Sequence, residues 1–215
     1  MSGQNSARWF VSLALVLAVS VSAAGVSGCA ATDRQGQQAA VSDYVNKPIL
    51  RLGLAAMVDA INDHQWASEV PWSSAYHWGA LNAAEHWAMA AGLVGDATPP
   101  PAVTTAATRL TKATLRMAAT MKALSALSAH WPVKLIDGRG KHLIPYNPPP
   151  SQVKAYKKWL RTLRDASREW YSALEGWSGA VANEADRVGV GVPLGLARKV
   201  QEVRAAAGGV ARAFL

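Results

Sequence analysis

Residues 150–181, PSQVKAYKKWLRTLRDASREWYSALEGWSGAV, place Val153, Tyr156, Leu160, Leu163, Ser167, Trp170, Leu174, Trp177 and Val181 at spacings that alternate three and four. A helix turns once every 3.6 residues, so this alternation keeps one face toward a partner along the whole run. An earlier stretch repeats in sevens. Val103, Leu110, Met117, Leu124 and Trp131 form one seam, and Ala107, Thr114, Met121 and Ser128 a second. Pro99-Pro100-Pro101 and Pro148-Pro149-Pro150 open the two runs, and proline is favoured in a first helical turn, where its missing N–H is no loss. Two heptad-like helices of about thirty residues, spanning on the order of 40 Å, each need a partner for the apolar stripe.

Working outward from these helices, Leu50, Leu54, Met57, Val58 and Ile61 fall on one stripe after Pro48, with Asn46 as a candidate cap. A second segment begins near Pro71 and Ser73. It carries Tyr76, Ala80, Ala83, Trp87, Ala90 and Val94 and ends at Gly95-Asp96; its small residues allow close helix approach. Residues 133–144 hold two β-rich runs around Asp137-Gly138, a candidate small hairpin. Residues 188–195 are rich in Gly and Val and are expected to be irregular, and Leu196, Val200 and Val203 predict a short last helix before Gly208-Gly209. There is no convincing internal repeat. Of the 215 residues 50% are apolar and 17% charged, the composition of a folded chain. The expected fold is all-α: one domain over 46–215, an up-and-down bundle of four to five helices.

Residues 1–28 have a different character. Met1 to Arg8 is polar with a single positive charge, and Trp9 to Val26 contains no charged residue. The strongly apolar part, Trp9 to Val21, suits the ~7–15-residue core of a secretory signal better than a ~20-residue bilayer span. Small residues then lead into the one cysteine of the chain, in Val26-Ser27-Gly28-Cys29. That tetrad resembles the lipobox of bacterial lipoprotein precursors, with Val26 where leucine is commonest; the resemblance covers the first thirty residues only. It implies cleavage between Gly28 and Cys29, a diacylglyceryl group on the Cys29 sulfur and, usually, a further acyl chain such as palmitate on the new amino terminus. A second chain turns marginal, reversible membrane binding into a stable anchor. Ala30 after the cysteine resembles outer-membrane sorting, facing the periplasm, if the host is Gram-negative. The alternatives are an ordinary cleaved signal and an uncleaved membrane anchor. Residues 29–45 are small and polar and are expected to form a flexible tether, holding the domain roughly 20 Å from the acyl group. A single cysteine also excludes an intrachain disulfide framework, a four-cysteine zinc site and any C-x-x-C motif.

The net charge of +8 is unevenly placed. Residues 29–96 carry three basic and seven acidic side chains, whereas residues 97–172 carry thirteen basic and three acidic. No acid occurs between Asp96 and Asp137. Lys154, Lys157 and Lys158 stand in the first two turns of the last long helix, where the helix dipole disfavours cations by a few tenths of a kcal/mol each. The stripe of Lys154, Lys158, Arg161 and Arg168 lies off the apolar seam and should be exposed. It is either a solvated face, paired with the acidic first third, or a surface for an anionic polymer or lipid. Arg109, Lys112, Arg116, Lys154, Lys157, Lys158 and Arg161 are the candidate binding set. An exported chain rarely meets nucleic acid, so none is expected.

Signals for chemistry are sparse. His64, His77, His86 and His130 each lie beside or near a tryptophan (Trp66, Trp78, Trp87, Trp131), and the favoured role of these rings is packing. Asp59, Asp63, His64, Glu85 and His86 are the nearest approach to a metal set, without a di-iron Glu-x-x-His pair or an H-E-x-x-H motif. G-x-S-x-G is absent, and Gly189-Val190-Gly191 lacks the strand and third glycine of a dinucleotide fingerprint. Met117 and Met121 suit a seam better than haem ligation. No metal, cofactor or catalytic residue is therefore assigned. The expected function is a non-enzymatic envelope lipoprotein, anchored at Cys29, whose helical bundle presents a basic face to anionic lipid, peptidoglycan or an envelope protein. The alternative is a periplasmic enzyme or small-ligand binder with a Trp/His-lined pocket. A phage- or plasmid-encoded exclusion lipoprotein is a variant that nothing in the sequence selects. Heptad seams left exposed would also allow an oligomer.

Overall fold

The structure is a computed structural model that describes residues 33–68, 72, 74–131 and 147–213. Helix α1 is described over 33–46, and α2 (Pro48–Ser68), α3 (Ser74–Gly95), α4 (Pro101–Ser128), α5 (Pro150–Val188) and α6 (Leu194–Ala213) follow. The protein is all-α, a helical bundle, and no strand occurs among the described residues. The candidate hairpin over 133–144 and the segment 1–28 with Cys29 lie outside the described residues.

Side-chain partners give the order of packing. Asp63 of α2 meets His86 of α3 at 2.8 Å, and Gly53 lies against Val94, so α2 and α3 are antiparallel. His77 meets the Ser125 carbonyl at 2.9 Å and Gly95 lies beside Thr111, which turns α4 back along α3. The Trp159 indole N–H donates to the Thr120 carbonyl at 2.8 Å and Arg109 reaches Ser172 at 3.2 Å, which turns α5 back along α4. Helix α6 packs against α2, and its Arg204 guanidinium makes two 2.7 Å bonds to the Glu175 carboxylate of α5. Both heptad seams of α4 are buried inside the bundle, from Val103 to Trp131 and from Ala107 to Ser128.

Helix α5 runs for 39 residues, about 58 Å at 1.5 Å per residue. It ends at Gly189, whose φ of 76° is the left-handed conformation that glycine adopts without a Cβ penalty. The Val190 N–H then returns to the Ala185 carbonyl at 2.8 Å, closing the helix in a Schellman-type turn. Its predicted seam is buried from Leu163 through Val181, except that Ser167 is half-buried, while Val153, Tyr156 and Leu160 are also half-buried. In that first part the buried side chain is Trp159, off the seam, because its hydrogen bond to Thr120 rolls this end of α5 toward α4.

Three expectations are corrected. The tether over 29–45 does not extend to the domain edge, since 33–46 is helical and Val41, Tyr44 and Val45 are buried. Those three residues, spaced three and four apart, form an apolar stripe inside a polar composition. Asn46 does not cap α2: it closes α1, and its side-chain amide donates to the Ser42 carbonyl at 2.8 Å. Helix α6 passes through Gly208 and Gly209 instead of stopping there. Helix α1 runs antiparallel to the end of α5, with Gln38 donating to the Val188 carbonyl at 2.5 Å and the buried Trp177 N–H donating to the Tyr44 hydroxyl at 2.9 Å.

Two helical glycines make a matched test of this packing. A Cβ on Gly53 would meet Val94 Cγ2 at 3.0 Å and Leu93 Cβ at 3.3 Å, whereas one on Gly176 would meet nothing within 4 Å. Helix propensity favours alanine by about 1 kcal/mol at both sites, and overpacking at Gly53 opposes it by about 1–3 kcal/mol. Denaturant titration should therefore show Gly176→Ala stabilised by about 1 kcal/mol and Gly53→Ala destabilised by a similar amount.

Candidate functional site

The first half of α5 carries the densest positive charge in the described structure. Pro149 and Pro150 start the helix without a side-chain cap, and no acid occupies its first turn. Lys154, Lys157, Lys158, Arg161, Arg164 and Arg168 are all exposed. None of the six makes an ion pair among the described residues, while Lys47, Arg116, Arg187, Lys199 and Arg204 each pair with a carboxylate. Asp165 is the one acid between Lys154 and Arg168. Placing cations over the helix N-terminus opposes the dipole, and no neighbouring carboxylate offsets that cost.

The candidate binding set divides in two. Arg109 and Arg116 project from α4 onto α5, where Arg109 bonds Ser172 and Arg116 forms an ion pair with Glu169. They brace the α4–α5 seam, each with a small effect, as expected for exposed pairs. Lys112 is exposed on the same helix. Lys154, Lys157, Lys158 and Arg161 form the open patch, and Arg164, absent from the candidate set, extends it. Cys29 and Gly28 lie outside the described residues.

The histidines do not converge. His77 bonds the Ser125 carbonyl on α4, His86 bonds Asp63 on α2, Glu85 is exposed, and His130 is exposed at the far end of α4. His64 is buried, with its ring 6.1 Å from that of Trp159. Tryptophan serves mainly as packing: Trp87, Trp131, Trp159, Trp170 and Trp177 are buried, and Trp72, Tyr76, Trp131 and Tyr156 form one aromatic cluster with the Tyr76 and Tyr156 hydroxyls 2.8 Å apart. Burial raises the Tyr76 phenol well above its ordinary range and the Tyr156 phenol above its ordinary value, so both stay protonated. Trp66 and Trp78 are instead 56% and 59% exposed.

Among the described residues no three His, Cys, Asp or Glu side chains gather closely enough to hold a metal ion; Asp63 and His86 pair, while Asp59 and Glu85 stand apart. Met117 and Met121 are buried on the α4 seam. No helix among the described residues is long and apolar enough to cross a membrane. No protein-family model matches the chain, and neither the curated proteins nor the solved structures contain a match to it.

Burial pushes the His64 imidazole down to about 4 from its ordinary 6.5. The folded protein therefore keeps the ring neutral at pH values where the unfolded chain already binds a proton. Stability from this site is complete above pH 6.5, declines as the pH falls toward 4, and changes no further below that. The full window corresponds to roughly 3 kcal/mol. Denaturation midpoints followed from pH 7 to pH 4 should fall in the wild type, and His64→Leu should flatten that part of the profile.

Proposed function

We propose that this protein is a lipid-anchored module of a bacterial envelope, held at Cys29, that binds the anionic cell-wall polymer through the open basic patch on α5. The single observation behind the target is the set of exposed cations Lys154, Lys157, Lys158 and Arg161, clustered at one end of α5 and without an ion pair among the described residues, whereas Lys47, Arg116, Arg187, Lys199 and Arg204 each pair with a carboxylate. The mechanism is binding without chemical conversion: anchoring confines the patch to a thin layer and raises its effective concentration at nearby targets.

Geometry favours the wall over the bilayer that holds the acyl chains. The described part of α1 starts at residue 33, four residues beyond Cys29, a separation of at most about 14 Å. That end of α1 lies beside Arg187, which bonds Gln37 at 2.8 Å. Lys158 sits on the same helix as Arg187, about 43 Å away at 1.5 Å per residue. An anchor at one end of the bundle thus holds the cations at the other, on the side where peptidoglycan stem peptides present carboxylates. The second candidate, a Trp/His pocket, receives no support from the histidines, whose partners lie on separate helix pairs.

Two measurements test the proposal. In cells fed labelled palmitate, the full chain should incorporate label and the Cys29→Ala chain should not. The chain from residue 29 carrying Cys29→Ala should co-sediment with purified peptidoglycan at low salt and release at high salt, as screening predicts. Lys154→Gln, Lys157→Gln and Lys158→Gln together should reduce retention several-fold while leaving the thermal midpoint within a few degrees. Retention unchanged by the triple substitution, or seen only with anionic liposomes, would reject the wall as the target.

A further inference from the structure

A cavity of about 680 Å³ opens between α5 and the last described turns of α6. Its floor comes from three other helices, through Ile61 of α2, Trp87 of α3 and Met117 of α4, and Leu160, Leu163 and Trp170 of α5 supply one wall. Ala207 and Gly208 form the facing wall, where the missing side chain at 208 leaves space. The volume falls within the ~300–1,000 Å³ usual for small-molecule sites.

One feature distinguishes this cavity from a packing gap. Arg161, Arg164 and Arg168 line it from α5, three or four residues apart, and none has an ion-pair partner among the described residues. Trp87 and Trp170 also line it, and their rings meet edge to face at 4.9 Å. An apolar floor and a row of guanidinium groups together specify a molecule with an apolar body and an anionic oxygen-bearing head.

We propose that this cavity binds a single-chain anionic amphiphile, its acyl chain against Ile61, Leu160 and Leu163 and its oxygens accepting from Arg164 and Arg168. The site adjoins the lysine patch, with Arg161 and Arg164 common to both, and does not depend on the wall-binding role. The head can be a carboxylate, as in a free fatty acid, or a phosphate, as in a monoacyl phospholipid.

The chain from residue 29 with Cys29→Ala, labelled with ¹⁵N, should be titrated below micelle concentrations with palmitate, monoacyl phosphatidylglycerol and, as the uncharged control, hexadecanol. Indole N–H resonances are assigned with Trp87→Phe and Trp170→Phe, and affinities are read by calorimetry. The anionic ligands should shift the Trp87 and Trp170 resonances and bind at least tenfold more tightly than hexadecanol; whichever anion binds better assigns the head group. Arg164→Gln with Arg168→Gln, both exposed and outside the core, should erase that preference and leave hexadecanol binding unchanged. Equal affinity for the alcohol, an unchanged preference in the double variant, or shifts confined to other indoles would each overturn the proposal.

Discussion

Burial of the indole row on α5 is the constraint around which the other helices are arranged. Trp159, Trp170 and Trp177 are each met by a different element: the Thr120 carbonyl of α4, the Trp87 ring of α3 and the Tyr44 hydroxyl of α1. A helix about 58 Å long cannot be covered by one short partner: α4 lies along it as far as Ser172, Trp87 of α3 reaches it at Trp170, and α1 covers its last part. Each indole is large enough that losing it would leave a void costing roughly 3–5 kcal/mol, a substantial share of the ~5–15 kcal/mol by which a domain is usually stable.

Positive charge follows the same axis. Toward its carboxy-terminal end α5 has acids that find partners: Glu175 binds Arg204 of α6, and Glu184 accepts two 2.7 Å bonds from Arg187. Toward its amino-terminal end the cations find none among the described residues. The hydrogen bonds from Arg187 hold the Glu184 carboxyl below its ordinary range, so this end of the helix is electrostatically settled while the other remains open to an external anion. One helix thereby serves as scaffold in its second half and as the candidate binding surface in its first.

Much of the bundle was legible because heptad spacing is a strong signal. Val103 through Trp131 and Leu163 through Val181 mark buried faces, and Pro48, Pro101 and Pro150 open helices as their missing N–H groups predict. What escaped had physical reasons. In α1 the stripe of Val41, Tyr44 and Val45 is only one turn long and is diluted by Gln, Ala and Asp. The roll of α5 at Trp159 depends on a carbonyl contributed by another helix, which no spacing within α5 encodes. Helix α6 continues through Gly208 and Gly209 although glycine weakens a helix interior. For the site, exposure of the α5 cations followed from their angle to the seam, whereas the capture of Arg109 and Arg116 by Ser172 and Glu169 required the register between two helices. The cavity was invisible for a similar reason, since its lining comes from five helices.

The antiparallel seating of α1 on α5 also determines how the molecule would carry force. Tension on the chain ahead of residue 33 would pull α1 lengthwise along α5, away from Trp177 and toward Arg187. The Tyr44–Trp177 and Gln38–Val188 hydrogen bonds and the buried Val41 and Val45 would then bear the load together, in shear. A helix peeled from its tip would instead lose these contacts one after another. Resistance to pulling is governed by the barrier to unfolding and not by equilibrium stability, and contacts loaded in parallel raise that barrier. A module fixed at that end would keep its bundle closed while its far end was drawn toward whatever it had bound.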